Sequence, residues 1–424
     1  MKEDFLHYIW KFQKLRQATC QTAQGESLYV IDPGVHNHLE GPDFLNAKIR
    51  IGEQLWAGNV ELHLQASDWY AHGHHLDANY ESVILHVVWR YDLDIFSQNN
   101  KVIPAFSLQK YIAPQALKSY EQFHSSLYRW IPCEKFFPKV DPFIYQHWLE
   151  RLYIERLEKR SKQVMSTLGQ YQNNWDALLF VMLCRSFGLR HNTESFYSVA
   201  RALDFSVYRQ CSQSAFDLEC LLMGLAGLLK PPSKDQYHDS LMERFYYLST
   251  KYRIKPQDVV PAKYFRLRPS NFPTLRLSQF AQLMHQEKRL FSKILEASSI
   301  GALRKLISTQ ASSYWTTHYN FGVRSKKFTK KVSSSFADLQ LINTILPIIF
   351  CYYKYEGKDA TEKVIEMASE LKAESNTVIA RFSKLRKPPS NAQESQALLQ
   401  LHQEYCSVTR CMQCTIGHTI LKRN

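Results

Sequence analysis

Near the N-terminus the apolar positions Phe5, Ile9, Phe12 and Leu15 recur at helical spacing and predict a helix over Asp4–Gln17. The period then shortens. Ser27–Ile31 predicts a strand closed by the Asp32-Pro33-Gly34 turn, and strand-like runs follow at Phe44–Ile51, Leu55–Leu64 and Val83–Tyr91. Gly52-Glu53 joins the first two of these as a hairpin. Ser67–Ser82 is long enough for a short helix or a functional loop, and Ile103–Tyr111 reads as one more strand. Helix, three strands, a connection and a fourth strand make an α/β unit with buried central strands.

The pattern then turns helical. Asp141-Pro142, an N-cap followed by proline at the first helical position, opens a helix reaching about Met165. Further helices are predicted at Asn174–Phe187, Thr193–Leu203, Ala215–Leu229 (stopped by Pro231-Pro232), Asp239–Lys251, Leu277–Met284, Lys288–Glu296, Ala302–Ser308, Leu339–Tyr353, Ala360–Leu371, Asn376–Phe382 and Gln393–Tyr405. Arg266–Thr274 and Val323–Ser335 are the most linker-like stretches, and no internal repeat stands out. The apolar runs Leu221–Leu229 and Leu341–Tyr353 fall short of the roughly 20 residues that span a bilayer.

Composition sharpens this picture in two ways. At 45% hydrophobic and 22% charged, the 424 residues are ordinary for a globular chain, which excludes bulk disorder. The net charge of +14 is unevenly divided: residues 1–100 carry −6 and residues 101–424 carry +20. An acidic lobe joined to a basic one suggests a carboxylate site served by a surface that holds a polyanion. Nine cysteines and no leader-like N-terminus point to reduced thiols in the cytoplasm and away from a membrane.

Candidate chemistry concentrates in the acidic part. Seven of the sixteen histidines fall within residues 36–86, among Gly41-Pro42-Asp43-Phe44, Gly58-Asn59-Val60-Glu61-Leu62-His63, Trp69-Tyr70-Ala71-His72-Gly73-His74 and Leu85-His86-Val87-Val88. Glu61 and His63, two apart on a strand, project from one face, and Asp43 begins the neighbouring hairpin strand. Carboxylates converging from adjacent strands suit a hard cation, Mg²⁺ or Mn²⁺, which polarises a phosphoryl oxygen and lowers the pKa of a bound water. His86, in an apolar run, reads as a core histidine. His72 and His74 flank a glycine and read equally as a solvated loop or a site. A rival reading takes His63, His72 and His74 with Asp68 as zinc ligands.

Pro42-Asp43 followed by Glu61-Leu62-His63 resembles the PD-(D/E)XK phosphodiesterase superfamily, where Pro-Asp opens one strand and an acidic-x-Lys triplet lies on the next. The resemblance implies an α-β-β-β-α-β, restriction-endonuclease-like core, with Asp43 and Glu61 as metal ligands and His63 assisting catalysis. His63 stands at the lysine position and departs from the pattern. Over nearly the whole chain, including Arg266-Leu267-Arg268-Pro269-Ser270-Asn271-Phe272-Pro273, the sequence is similar to a bacterial family called domain of unknown function 2851, which implies relatives but no activity.

Arg266, Arg268 and Arg276 around a proline-rich loop, and Lys326, Lys327, Lys330 and Lys331 in a second, are candidate phosphate contacts. Cys406, Cys411 and Cys414 are candidate ligands of zinc, with His402 or His418, or of an iron–sulfur cluster with a fourth thiolate from elsewhere. The expected domains are 1–135, α/β, and 136–424, basic and helical, with the cysteine motif at its end. The expected function is a metal-dependent nuclease acting on DNA or RNA. The alternatives are a non-catalytic nucleic-acid-binding or assembly protein on the same core, and a zinc-dependent hydrolase of a small substrate.

Overall fold

The computed structural model describes residues 3–16, 19–37, 40–112, 114, 117, 120, 121, 129–230, 234–255 and 258–423. They form two compact units, Met1–Trp148 with His402–Asn424, and Leu149–Leu401. The first unit therefore extends past the boundary expected at 135, and the terminal cysteine segment joins it rather than the helical unit. Aromatic contacts account for this: Trp130 stacks on His402 with ring centroids 5.1 Å apart, and Trp148 meets Tyr405 edge-on at 5.4 Å.

The first unit opens with helix α1, Glu3–Lys11, which buries Phe5, Leu6, Ile9 and Trp10. It stops earlier than its apolar period suggests because Gln13 turns into the left-handed region, φ 48°, with its side-chain amide on the Trp10 carbonyl at 2.6 Å. Among the described residues nine strands follow: β1 Thr19–Gln21, β2 Ser27–Asp32, β3 Val35–His36, β4 Phe44–Ile51, β5 Gln54–Gln65, β6 Val83–Arg90, β7 Ile95–Phe96, β8 Val102–Ile103 and β9 Ala105–Ser107. The main sheet has the order β1-β2-β4-β5-β6-β9, with β3 also paired to β4. The β4–β5 hairpin is antiparallel around Gly52-Glu53, as expected, whereas β5–β6 and β6–β9 run parallel.

Central position explains the composition of β5 and β6. All six residues from Val83 to Val88 are buried, as are the four from Val60 to His63. In register, Glu61 lies opposite His86, and His63 opposite Val88, so these side chains share one face. Gly58 permits the close approach of these strands, since any side chain there would run into Ile84 and the Ser82 carbonyl. Between β5 and β6 lies helix α2, Asp68–Ala71, followed by two single 3₁₀ turns.

The second unit is helical apart from a short two-stranded ribbon. Helix α3, Pro142–Gln170, begins where expected, within the last residues of the first unit and continuing into the second, with the Asp141 carboxylate accepting the Phe143 amide at 2.9 Å. Asn174 caps the helix Trp175–Phe187 in the same way. The helix beginning at Ala215 ends at Leu225, short of the expected Leu229, as Gly227 enters the left-handed region. Pro231-Pro232, read as its stop, lies outside the described residues. A short helix, Phe205–Cys211, carried no clear sequence signal. The helical run Ser334–Tyr355 spans 22 residues and is apolar enough to cross a bilayer by length and composition, but 72% of its apolar window is buried within the protein. It includes a widened π-type turn at Leu341–Ile345.

Candidate metal centre

Asp43 and Glu61 meet at the open end of the β4–β5 hairpin. The Asp43 backbone amide donates to Glu61 Oε2 at 3.0 Å, and the Leu62 amide donates to Asp43 Oδ2 at 3.0 Å. Each carboxylate thus takes the place of a ladder acceptor just beyond the last register pair, Phe44 with Val60. Asn37 holds the preceding turn by donating its side-chain amide to the carbonyls of Glu40 and Pro42. Gly41 in that turn, at φ 100°, adopts a conformation other residues resist.

The loop after β5 brings histidines back over this corner. Trp69 anchors it, fully buried in a small core with Tyr80, Val83 and Val88, its indole nitrogen donating to the Phe96 carbonyl at 3.1 Å. Gly73 in the left-handed region, φ 76°, turns the chain so that His72 and His74 both reach His63. Donor nitrogens of His63, His72 and His74 all lie within 4.8 Å of one another. His63 Nε2 is 3.0 Å from His72 Nδ1, and His63 Nδ1 is 2.8 Å from His86 Nε2. Glu61 Oε1 lies 3.3 Å from His74 Nε2 and 3.5 Å from His63 Nε2. From α1, His7 Nε2 approaches Asp43 Oδ2 to 3.2 Å. The cluster reaches solvent at His72.

Burial and mutual charge set the protonation states. Burial, reinforced by the charges of His74 and His72, pushes His63 down to about 3. Burial likewise holds His86 well below the ordinary imidazole range. Burial also lifts the Glu61 carboxyl, with the Asp43 charge adding to it. At Asp43 burial works the same way, but the His7 hydrogen bond and charge, with the Leu62 amide, outweigh it and hold the carboxyl below its usual range. His7 is correspondingly raised against its own burial. Neutral His63 keeps a lone pair available, the state in which imidazole binds a metal.

Three imidazoles and a carboxylate form a donor set that suits Zn²⁺ or Mn²⁺ better than Mg²⁺, which prefers oxygen ligands. The Asp43 and Glu61 oxygens are engaged by amides and histidines, and the nitrogen atoms lie closest together. Asp68, the fourth zinc ligand of the rival sequence reading, instead accepts the Gln65 amide at 2.9 Å. His86 proves to be both things at once: a core residue with 0% exposure and the partner that orients His63. His7 and Glu3 escaped the sequence reading. Both sit on α1 beside apolar residues, and only the fold brings them to Asp43 and His72.

Elsewhere the expected residues divide. Arg276 is buried, bonded to Gln279 Oε1 at 2.9 Å and Asn271 Oδ1 at 2.7 Å, with its guanidinium 3.7 Å from the Phe336 ring centroid. Lys330 is buried too, its ammonium held by the Trp315 carbonyl, the His318 carbonyl at 2.8 Å and Ser325. Both therefore support the fold and are not phosphate contacts, correcting the expectation for these two. Arg266, Arg268, Lys326, Lys327 and Lys331 are exposed. Cys406, Cys411 and Cys414 are buried in the first unit, as is Cys133, unremarked in the sequence.

No curated protein and no solved structure matches the chain. Residues 3–377 match the family model described as "Protein of unknown function (DUF2851)", and the chain belongs to that family.

Proposed function

We propose that the protein is a metal-dependent hydrolase of phosphodiester bonds in DNA or RNA, with its centre at Asp43, Glu61, His63, His72 and His74. One observation carries this reading: carboxylates from adjacent strands and three imidazoles from a strand and its following loop converge on one solvent-reaching corner. Five strands lie between α1 and α2, of which β2, β4 and β5 form an antiparallel run, and β6 follows parallel to β5; this order is compatible with an α-β-β-β-α-β core to which β1 and β3 are additions. The +20 balance of residues 101–424 suits a polyanionic substrate.

His63, His72 and His74 would hold the cation, with Glu61 beside them. A bound Zn²⁺ or Mn²⁺ supplies charge that polarises a phosphoryl oxygen and acidifies a water. The chain's own groups do the rest. His63 Nδ1 lies 2.8 Å from His86 Nε2, and with the proton on Nδ1 this contact would fix the ring and direct the Nε2 lone pair at the cluster. Glu61, kept basic enough by burial, accepts a proton at Oε1. His7 pairs with Asp43 and steadies its negative charge.

The test is hydrolysis by the full chain supplied separately with Mn²⁺, Zn²⁺ and Mg²⁺, on DNA, RNA and bis(p-nitrophenyl) phosphate, with Asp43→Asn as control. Cleavage of nucleic acid abolished by Asp43→Asn supports the proposal. A second reading, a zinc hydrolase of a small substrate, is favoured by the three-histidine set. Turnover of the small ester alone would select it. Binding to nucleic acid without cleavage under any metal would leave a non-catalytic binding protein.

A further inference from the structure

A cavity of about 610 Å³ lies within the helical unit, bounded by α3, the helices Trp175–Phe187 and Leu189–Ala202, and the run Ser334–Tyr355. Arg160, Arg185 and Arg190 line it, against a single carboxylate, Glu374. The widened turn Leu341–Ile345 supplies one wall, and turns of this kind recur at functional sites. Its Ile342 carbonyl accepts Arg160 Nη1 at 3.1 Å, and Asn343 Oδ1 accepts Nη2 at 2.8 Å. Asn343 in turn donates to Glu374 Oε1 at 3.2 Å, and the Gln396 side-chain amide donates to Oε2. Arg160 and Glu374 are thus fixed in the wall. Arg185 makes its ion pair with Glu194 at 3.3 Å near the surface, where such pairs are weak and readily exchanged.

Arg185 closes one helix and Arg190 opens the next, on either side of a strained junction. Leu189 there has φ 50°, a left-handed conformation that leucine resists. Gly188 beside it packs too closely against the Asn192 carbonyl for any side chain. Asn192 pins the junction, donating to the Lys263 carbonyl at 2.8 Å and accepting the Lys263 amide at 2.7 Å. Strain fixed by such bonds keeps both guanidinium groups at one cavity.

Gln340 belongs to the same lining, 0% exposed, and neither its amide oxygen nor its amide nitrogen has a hydrogen-bond partner. A buried amide left in this state costs free energy, and folded proteins keep few of them. Two other buried glutamines of the unit are satisfied at both ends. Gln279 accepts from Arg276 and donates to the Lys330 carbonyl, and Gln396 accepts from Arg156 and donates to Glu374. Among the described residues Gln340 is the one glutamine unpartnered at both ends. An amide side chain presents a donor and an acceptor in one plane, the pair that matches a nucleobase edge. Guanidinium forks match a phosphate, and the volume is that of a small-ligand site. We propose that this cavity binds a nucleoside monophosphate, its base edge on Gln340 and its phosphate between Arg185 and Arg190. The site lies wholly in the helical unit and does not rest on the phosphodiesterase reading of the sheet unit.

The test is calorimetric titration of the full-length chain with adenosine, guanosine, cytidine and uridine monophosphates, in EDTA so that no metal at Glu61 contributes. Saturable binding of at least one of the four is expected, and binding of none overturns the proposal on the unaltered chain. Gln340→Met should weaken that binding roughly 5–150-fold, with the melting temperature unchanged or raised because the unpartnered amide is gone. A Gln340→Met chain that melts higher and binds as before would make Gln340 a core residue over a trapped water, and so overturn the base contact. Arg190→Met should weaken binding about tenfold, and undiminished binding would overturn the phosphate contact. Inorganic phosphate that binds as tightly as the nucleotide would overturn any role for the base. Asp43→Asn should bind the nucleotide as the unaltered chain does, and loss of binding there would move the nucleotide to the sheet unit and overturn the assignment.

Discussion

Glu61 in the sheet unit and Glu219 in the helical unit are both buried carboxylates held above the ordinary range by burial, yet their surroundings differ in kind. Glu219 receives the Trp315 indole at 2.7 Å, the Ser278 hydroxyl at 2.8 Å and the Tyr237 hydroxyl at 2.9 Å, with Ser312 nearby. Every donor is neutral, and the network is closed. Glu61 has one backbone amide and two imidazoles, beside a second carboxylate. Lys330 repeats the first pattern, its ammonium held by the Trp315 and His318 carbonyls and the Ser325 hydroxyl beside the Tyr319 ring. Glu219 and Glu61 thus show two forms of buried carboxylate: one saturated by neutral donors, and one crowded by titratable neighbours, the pattern that marks functional sites.

The sharpest test of that contrast is substitution at the two glutamates. Glu61→Gln is expected to slow phosphodiester hydrolysis by on the order of 10²–10⁴-fold, while thermal melting shows stability unchanged or improved. A loss of stability instead would put Glu61 in the same class as Glu219. Glu219→Ala should cost about 3–5 kcal/mol in chemical denaturation, because four donors lose their acceptor, with metal content unaltered.

Glu219 also sets a pH trend. Its folded pKa lies above the unfolded one, so the folded chain binds the proton more tightly. Its contribution is fully present below the unfolded pKa and is lost as pH rises toward the folded value. Between about pH 4 and 7, the wild-type melting temperature should decline more with rising pH than that of Glu219→Gln. Equal slopes would mean the group does not titrate differently on folding.

Smaller effects are expected at the margins. His86→Gln should weaken Zn²⁺ affinity about 10–100-fold in chelator competition, through loss of the His63 orientation. The double variant Lys326→Ala, Lys327→Ala should lower the salt dependence of nucleic-acid binding by about one unit of slope per lysine. Lys330→Met should leave that slope intact and reduce stability, as its ammonium contacts the protein rather than solvent.

The strands and the pairing of Glu61 with His63 were legible because both depend on a period of two, which needs no partner to be read. Phe44–Ile51 and the Gly52-Glu53 turn match the observed element and turn. The convergence of His72 and His74 on His63 rests on Gly73 and on Trp69 filling a pocket, and neither leaves a mark in local spacing. His7 was out of reach for a stronger reason: its partner Asp43 lies on an element distant in sequence. Arg276 and Lys330 misled because charge alone does not tell solvent from a lining of carbonyls and rings.

The reciprocal bonds between Asp43 and Glu61 make this corner an exchange between skeleton and chemistry. The carboxylates at the proposed centre also serve as acceptors for the amides of Asp43 and Leu62. A cation bound as proposed would draw electron density from the carboxylate oxygens that accept those amides, so filling the centre would loosen the hairpin's last rungs and emptying it would latch them. The amide protons of residues 43 and 62 become gauges of loading: in hydrogen-exchange experiments both should exchange faster once metal is bound, while the amides of Ile49 and Ile51 keep their protection.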